Sequence, residues 1–103
     1  MAGHAIIVVG ASAGGVEALT QLVSGLPADL PAALLIVLHV PAQANSFLPL
    51  ILQRAGRIPA AHAIDGMALR PGRIYVARPD YHLLVEPGVV RVRLDLSRRL
   101  RRH

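Results

Sequence analysis

Two uninterrupted apolar runs stand in the first forty positions of the chain, and each is followed by a turn. Residues 5–9 lead into a glycine-rich turn over 10–15, and residues 32–38 lead into a histidine and a proline. Continuous apolar runs of this length are typical of strands buried on both faces of a parallel sheet. The pattern therefore predicts strands over 5–9 and 33–39, with a helix over 14–24 between them.

Each of the two predicted helices has an apolar side. A second helix is predicted from Asn45 or Ser46, either of which can cap it, to about Arg54. Pro49 would then lie in its first turn, where a missing amide is tolerated. The residues expected to face the core, by helical spacing, are Val16, Leu19, Leu22 and Val23 in the first helix and Phe47, Leu48, Ile51 and Leu52 in the second.

Turn signals divide the rest of the sequence into short strands. Asp65-Gly66 and Pro71-Gly72 predict tight turns, and strands are predicted over 58–63 and 73–77. Residues 83–85 and 89–92 flank Glu86-Pro87-Gly88, which predicts a β-hairpin. No repeat or linker interrupts this order, so we expect one small domain of strands packed by helices.

Composition narrows the classes of function. A chain of 103 residues allows a single small core, and the three aromatic residues argue against base-stacking surfaces. The absence of cysteine excludes disulfides and thiolate metal sites. The longest apolar run has seven residues, against about 20 for a membrane span. With no signal-peptide pattern at the start, we expect a cytoplasmic protein without membrane insertion.

The net charge of +5 comes from the end of the chain. Residues 1–90 hold five arginines and five acidic residues, whereas residues 91–103 hold six arginines and Asp95. A neutral body with a basic tail does not predict nucleic-acid binding by the folded part. A solvated terminus is favoured over a nucleic-acid-binding tail.

Ser12 lies in the glycine-rich turn between the first strand and the first helix. A dinucleotide loop needs glycine at this position and an acidic residue where His39 stands, and a Walker loop needs a lysine, which the chain lacks. We therefore expect no cofactor. A serine on such a turn is typical of an exposed nucleophile, with the amides of Ala13 and Gly14 as part of an oxyanion hole. A plain tight turn is the alternative.

His39 ends the second predicted strand. Neighbouring parallel strands lie about 5 Å apart, so Ser12 and His39 would stand together at the carboxyl edge of the sheet. They would form two members of a Ser-His-Asp triad, unless His39 is a satisfied core histidine. Asp29, Asp65 and Asp80 are candidate acids by residue type, although each sits in a turn that already explains it.

For two further histidines, a role in the site is less strongly indicated. His82 is equally compatible with a substrate-side and a structural role, and a structural role is favoured for His62. Neither has a second ligand at metal-binding spacing, so no metal is expected.

Four ordered blocks of sequence resemble the catalytic domain of chemotaxis protein-glutamate methylesterases of the CheB type. They are IIVVGASAGGVEAL at 6–19, LHVP at 38–41, DGMALRPGRIYVA at 65–77 and PDYHLLV at 79–85. The resemblance covers about residues 5–93. It implies a doubly wound, mostly parallel, Rossmann-like α/β sheet with a β-hairpin, Ser12 as nucleophile and His39 as its base.

The implied reaction is hydrolysis of receptor glutamate methyl esters, together with glutamine deamidation. The family's catalytic aspartate lies beyond the hairpin, in a segment that this sequence does not reach, and an arginine-rich stretch follows Asp95 instead. We therefore expect a partial domain over 1–93 with a basic tail over 94–103, weakly active or inactive. Its expected partners are a methylated chemoreceptor-type protein and a missing C-terminal half, or another chain, that covers the core. A non-catalytic module that binds receptors or a partner protein is the alternative.

Overall fold

The computed structural model describes residues 5–39, 42–78, 81–86 and 89–94. In these residues the chain forms seven strands, two α-helices and one 3-10 turn. In chain order they are β1 Ala5–Ser12, the 3-10 turn Ala13–Gly15, α1 Val16–Ser24, β2 Ala32–His39, α2 Ala42–Ala55, β3 Ala60–His62, β4 Met67–Ala68, β5 Arg73–Val76, β6 Tyr81–Glu86 and β7 Val89–Leu94.

The principal sheet has four parallel strands in the order β1-β2-β5-β3. Helix α1 connects β1 to β2, which is the crossover that parallel neighbours require. A second sheet, β4-β7-β6, is antiparallel and contains the predicted hairpin. The fold is therefore α/β with a mostly parallel, Rossmann-like sheet and a β-hairpin, as predicted.

Both helices pack on one face of the principal sheet. Alternate residues of β2, Leu34 and Ile36, meet α1 and α2 there, as the two-residue period of a strand requires. The buried cluster on this face consists of Leu19, Val23, Leu34, Ile36, Leu48, Leu52, Ile58, Ile74 and Val76.

The opposite face of the sheet is covered by the segment that follows β3. Ala33 and Leu35 of β2 pack there with Ala63, Leu69 and Tyr75. The predicted turns occur at both ends of this segment, with positive φ angles of 82° at Gly66 and 73° at Gly72. Such angles favour glycine, so the two turns fix the path of the chain across this face.

Helix α2 begins earlier than predicted. It starts at Ala42, so Asn45 and Ser46 lie inside it rather than at its cap, and Pro49 lies in its middle rather than in its first turn. A proline inside a helix removes one backbone hydrogen bond. Packing of Leu48 and Leu52, which are 1% and 0% exposed, stabilises the helix on both sides of that proline.

Several residues expected to be buried are exposed. Strand β1 has a hydrogen-bonded neighbour on one side only within the described residues, which leaves Ile6, Ile7 and Val8 exposed by 40%, 41% and 65%. The helices bury only the line of side chains directed at the sheet. Leu22, Phe47 and Ile51, on neighbouring lines, are consequently exposed.

Neither helix in the described part of the chain has the length and hydropathy needed to cross a membrane.

Candidate active site

Ser12 and His39 are paired positions in the ladder between β1 and β2. Each is the last residue of its strand, and the strands are parallel neighbours, which lie about 5 Å apart. Both residues therefore stand at the carboxyl edge of the sheet, where open α/β sheets bind ligands. The register brings together the two residue types that serine hydrolases use as nucleophile and base.

The 3-10 turn Ala13–Gly15 follows Ser12 directly and contacts β2 as well as β1. Gly15 is the N-cap of α1, and no side chain there caps the helix through a hydrogen bond. The first amides of a helix have no partner within the helix and form a partially positive end. Ala13 and Gly14 precede this helix end in the 3-10 turn, and Gly14 is exposed.

The candidate acids lie elsewhere or outside the described residues. Asp29 is exposed in the loop that precedes β2, at the opposite end of the strand from His39. The length of β2 separates them by about 23 Å, which rules out a direct hydrogen bond. Asp65 is exposed in the turn after β3, two strands away from β2. Asp80 lies outside the described residues.

The other two candidate histidines, His62 and His82, are in two different sheets. His62 ends β3, where it pairs with Val76 and is half-buried. His82 belongs to the hairpin, where its backbone pairs with Arg93. In the described ranges, no three His, Asp or Glu side chains are grouped closely enough to hold a metal ion.

A parallel α/β sheet with serine and histidine at the carboxyl ends of adjacent strands is an architecture used by hydrolases. The family described as CheB methylesterase matches residues 7–103. The chain belongs to that family, as its sequence predicted.

Individual relatives agree with this assignment. The chain is 41% identical over 85 residues to protein-glutamate methylesterase/protein-glutamine glutaminase 5 of Myxococcus xanthus, covering 82% of this chain and 24% of that protein. It is 46% identical over 78 residues to a protein-glutamate methylesterase/protein-glutamine glutaminase of Halalkalibacterium halodurans, covering 76% and 22% respectively.

A solved structure shares the fold. The crystal structure of the Thermotoga maritima CheB methylesterase catalytic domain superposes with a TM-score of 0.79 at 31% identity, covering 91% of this chain and 51% of that one. The chain thus spans about a quarter of the length of the curated relatives and about half of that catalytic domain.

Proposed function

We propose that this chain supplies the serine and histidine of a protein-glutamate methylesterase/glutaminase site. The observation that carries the proposal is the pairing of Ser12 with His39 at the carboxyl ends of adjacent parallel strands. Membership of the CheB methylesterase family supports the same assignment. The substrate class we propose is a methylated chemoreceptor-type protein, and the proposed compartment is the cytoplasm, which cell fractionation would test.

In the proposed reaction the hydroxyl of Ser12 attacks the carbonyl carbon of the ester while His39 accepts its proton. The oxyanion of the tetrahedral intermediate accepts hydrogen bonds from the amides of Ala13 and Gly14. His39 then returns the proton to the leaving methoxide, and methanol departs. Water, activated by His39 in the same way, hydrolyses the acyl-serine and releases the glutamate carboxylate. His82 is proposed on the substrate side of the site.

A second segment completes the site in this proposal. Strand β1 carries three large apolar residues at its exposed edge, Ile6, Ile7 and Val8. Unpaired strand edges of this kind favour the addition of another strand. The Thermotoga maritima catalytic domain is about twice as long as the part that this chain matches. We therefore propose that a segment equivalent to the remaining half covers β1 and brings the carboxylate that orients His39.

The experiment measures methanol release from a methylated receptor peptide. The 103-residue chain is assayed alone and after addition of the unmatched half of the Thermotoga maritima catalytic domain. We expect slow release by the chain alone and a gain of about 10⁴-fold on addition, the loss seen when a triad loses its acid. Full turnover by the chain alone would disprove the need for a second segment.

The exposed β1 edge also supports the alternative of a non-catalytic interaction module. In that case the added half would bind to the chain without producing methanol. Methanol release that persists in Ser12→Ala would exclude Ser12 as the nucleophile.

A further inference from the structure

A cavity of about 460 Å³ lies at the other end of the principal sheet from Ser12 and His39. It is bordered by the outer strand β3, the start of β5, β4 and the end of α2. Arg73, in its wall, pairs with Ala33, the second residue of β2, whereas His39 is the last residue of that strand. Along β2, His39 lies six residues beyond Ala33, which corresponds to about 20 Å of extended chain. The cavity is therefore distinct from the candidate active site.

The lining combines an apolar floor with a few polar groups. Small-molecule sites in proteins have this composition and a volume of roughly 300–1,000 Å³. The apolar part is formed by Pro59, Ala60, Ala61, Met67, Ala68 and Ile74. The polar part is formed by Gln53, Arg70, Arg73 and Tyr75.

Two guanidinium groups border the cavity, and its lining contains no acidic residue among the described residues. Arg70 and Arg73 are both exposed. Arginine presents its N–H groups as a planar fork that binds carboxylates and phosphates in a bidentate manner. The two side chains therefore provide cationic donors at the rim of an otherwise apolar space.

Tyr75 and Gln53 fix the backbone around this space. The buried hydroxyl of Tyr75 accepts a hydrogen bond from the Arg70 amide at 2.8 Å and donates one to the Ala68 carbonyl at 3.0 Å. These two hydrogen bonds to the backbone hold the segment that carries Arg70 against β5. The Oε1 of Gln53 accepts a hydrogen bond from the Ala60 amide at 3.2 Å, which leaves its NH₂ group as a further donor.

We propose that this cavity binds a small anion with an apolar body, a carboxylate or a phosphate monoester, through Arg70 and Arg73. The apolar body would lie against Ala61 and Met67, on the same face of the sheet as Tyr75, with the charged group at the two guanidinium groups. The site is independent of the proposed esterase chemistry and does not require Ser12, His39 or a second segment.

The test is an NMR titration of the 103-residue chain with benzoate and with phenyl phosphate. Benzyl alcohol serves as the neutral counterpart, and inorganic phosphate as the anion without an apolar body. We expect saturable amide shifts at Ala60, Ala61 and Arg70, with no shift at Val8, and a dissociation constant of about 1 mM for the better anion. The stronger of the two anions identifies the carboxylate or the phosphate class.

Charge removal supplies the decisive comparison. Arg70→Gln and Arg73→Gln should each weaken anion binding about tenfold, as expected for loss of a charge-assisted contact. Arg78→Gln removes an exposed arginine just beyond the other end of β5 and should change binding less than twofold. Equal losses in all three variants would reduce the effect to general surface charge and overturn the proposal.

A filled cavity gives an independent check that leaves both arginines in place. Ala61 is exposed on the outer strand, so the larger side chain of Ala61→Leu would fill part of the cavity without burying a polar group. The substitution should weaken the binding of benzoate and of phenyl phosphate about tenfold and leave the binding of inorganic phosphate unchanged. Absence of saturable shifts with either anion, or equally strong binding of benzyl alcohol, would also overturn the proposal.

Discussion

Ser12 and His39 form the eighth and last pair of the parallel ladder between β1 and β2, which begins at Ala5 and Ala32. The pairing depends on register, and register here is set by packing. A shift of one residue in β2 would exchange Leu34 and Ile36, which face the helices, for Ala33 and Leu35, which face the opposite side. The core that stabilises the sheet thus also holds the two proposed catalytic residues in line.

The proposed roles of Ser12 and His39 predict non-additive effects on turnover. In the completed site, Ser12→Ala and His39→Gln should each lower methanol release at least about 10³-fold, and the double variant should be no worse than either single one. Ser24→Ala is the matched control, because the Ser24 hydroxyl bonds the Gln21 carbonyl on the exposed side of α1. Losses that multiply in the double variant would contradict a shared catalytic step.

The exposed edge of β1 predicts a strong effect of charge at Val8, which is 65% exposed. Val8→Lys should leave the chain folded but weaken its association with a second segment, because a lysine at a strand edge blocks strand addition. Size-exclusion chromatography and the yield of methanol measure this effect. Ile64→Lys places the same charge at a residue that is 58% exposed in a loop, and should not alter association.

The sequence was sufficient for the features that local patterns determine. The apolar runs predicted β1 and β2, and Asp65-Gly66 and Pro71-Gly72 predicted turns whose glycines have positive φ. Features set by tertiary arrangement were not predictable. The exposed position of β1 depends on which strands pair with it, and the cavity beside Arg70 and Arg73 is assembled from separate segments with no shared motif.

Helix α2 begins earlier than its local sequence favours. Asn45 and Ser46 are favourable caps, and proline, the residue at position 49, is most common near a helix start. Local rules therefore favoured a later beginning of the helix. The helix nevertheless begins at Ala42. Packing of Leu48 and Leu52 against the sheet outweighs these local preferences, as tertiary contacts commonly do.

Tyr75→Phe should destabilise the fold although it removes a single oxygen. The hydroxyl is in a residue that is 3% exposed, and it bonds both the Arg70 amide and the Ala68 carbonyl. Removing it leaves two backbone groups without that partner, which costs about 1–3 kcal/mol in the free energy of unfolding. Urea unfolding measures the change. An unchanged midpoint would show that water replaces the hydroxyl at no cost.

The close approach between Gly56 and Val23 predicts a second sensitive position. A Cβ atom at Gly56 would lie 2.6 Å from the Val23 carbonyl oxygen and 2.9 Å from its Cγ1. The φ angle of Gly56 is not in the left-handed region, so the restriction comes from space rather than from backbone conformation. Gly56→Ala should therefore push the end of α2 away from α1 and lower the free energy of unfolding by about 1–3 kcal/mol.

Gly25→Ala is the matched control for this substitution. Its Cβ would lie 3.7 Å from the nearest atom, an ordinary contact, and its φ is −90°. Replacing such a glycine reduces the entropy of the unfolded chain, so its effect should range from neutral to a gain of about 1 kcal/mol. Urea unfolding of both variants gives the comparison. Shortening Val23 should not rescue Gly56→Ala, because the nearest atom is a backbone oxygen. Full rescue by Val23→Ala would instead show that the side-chain contact alone limits this position.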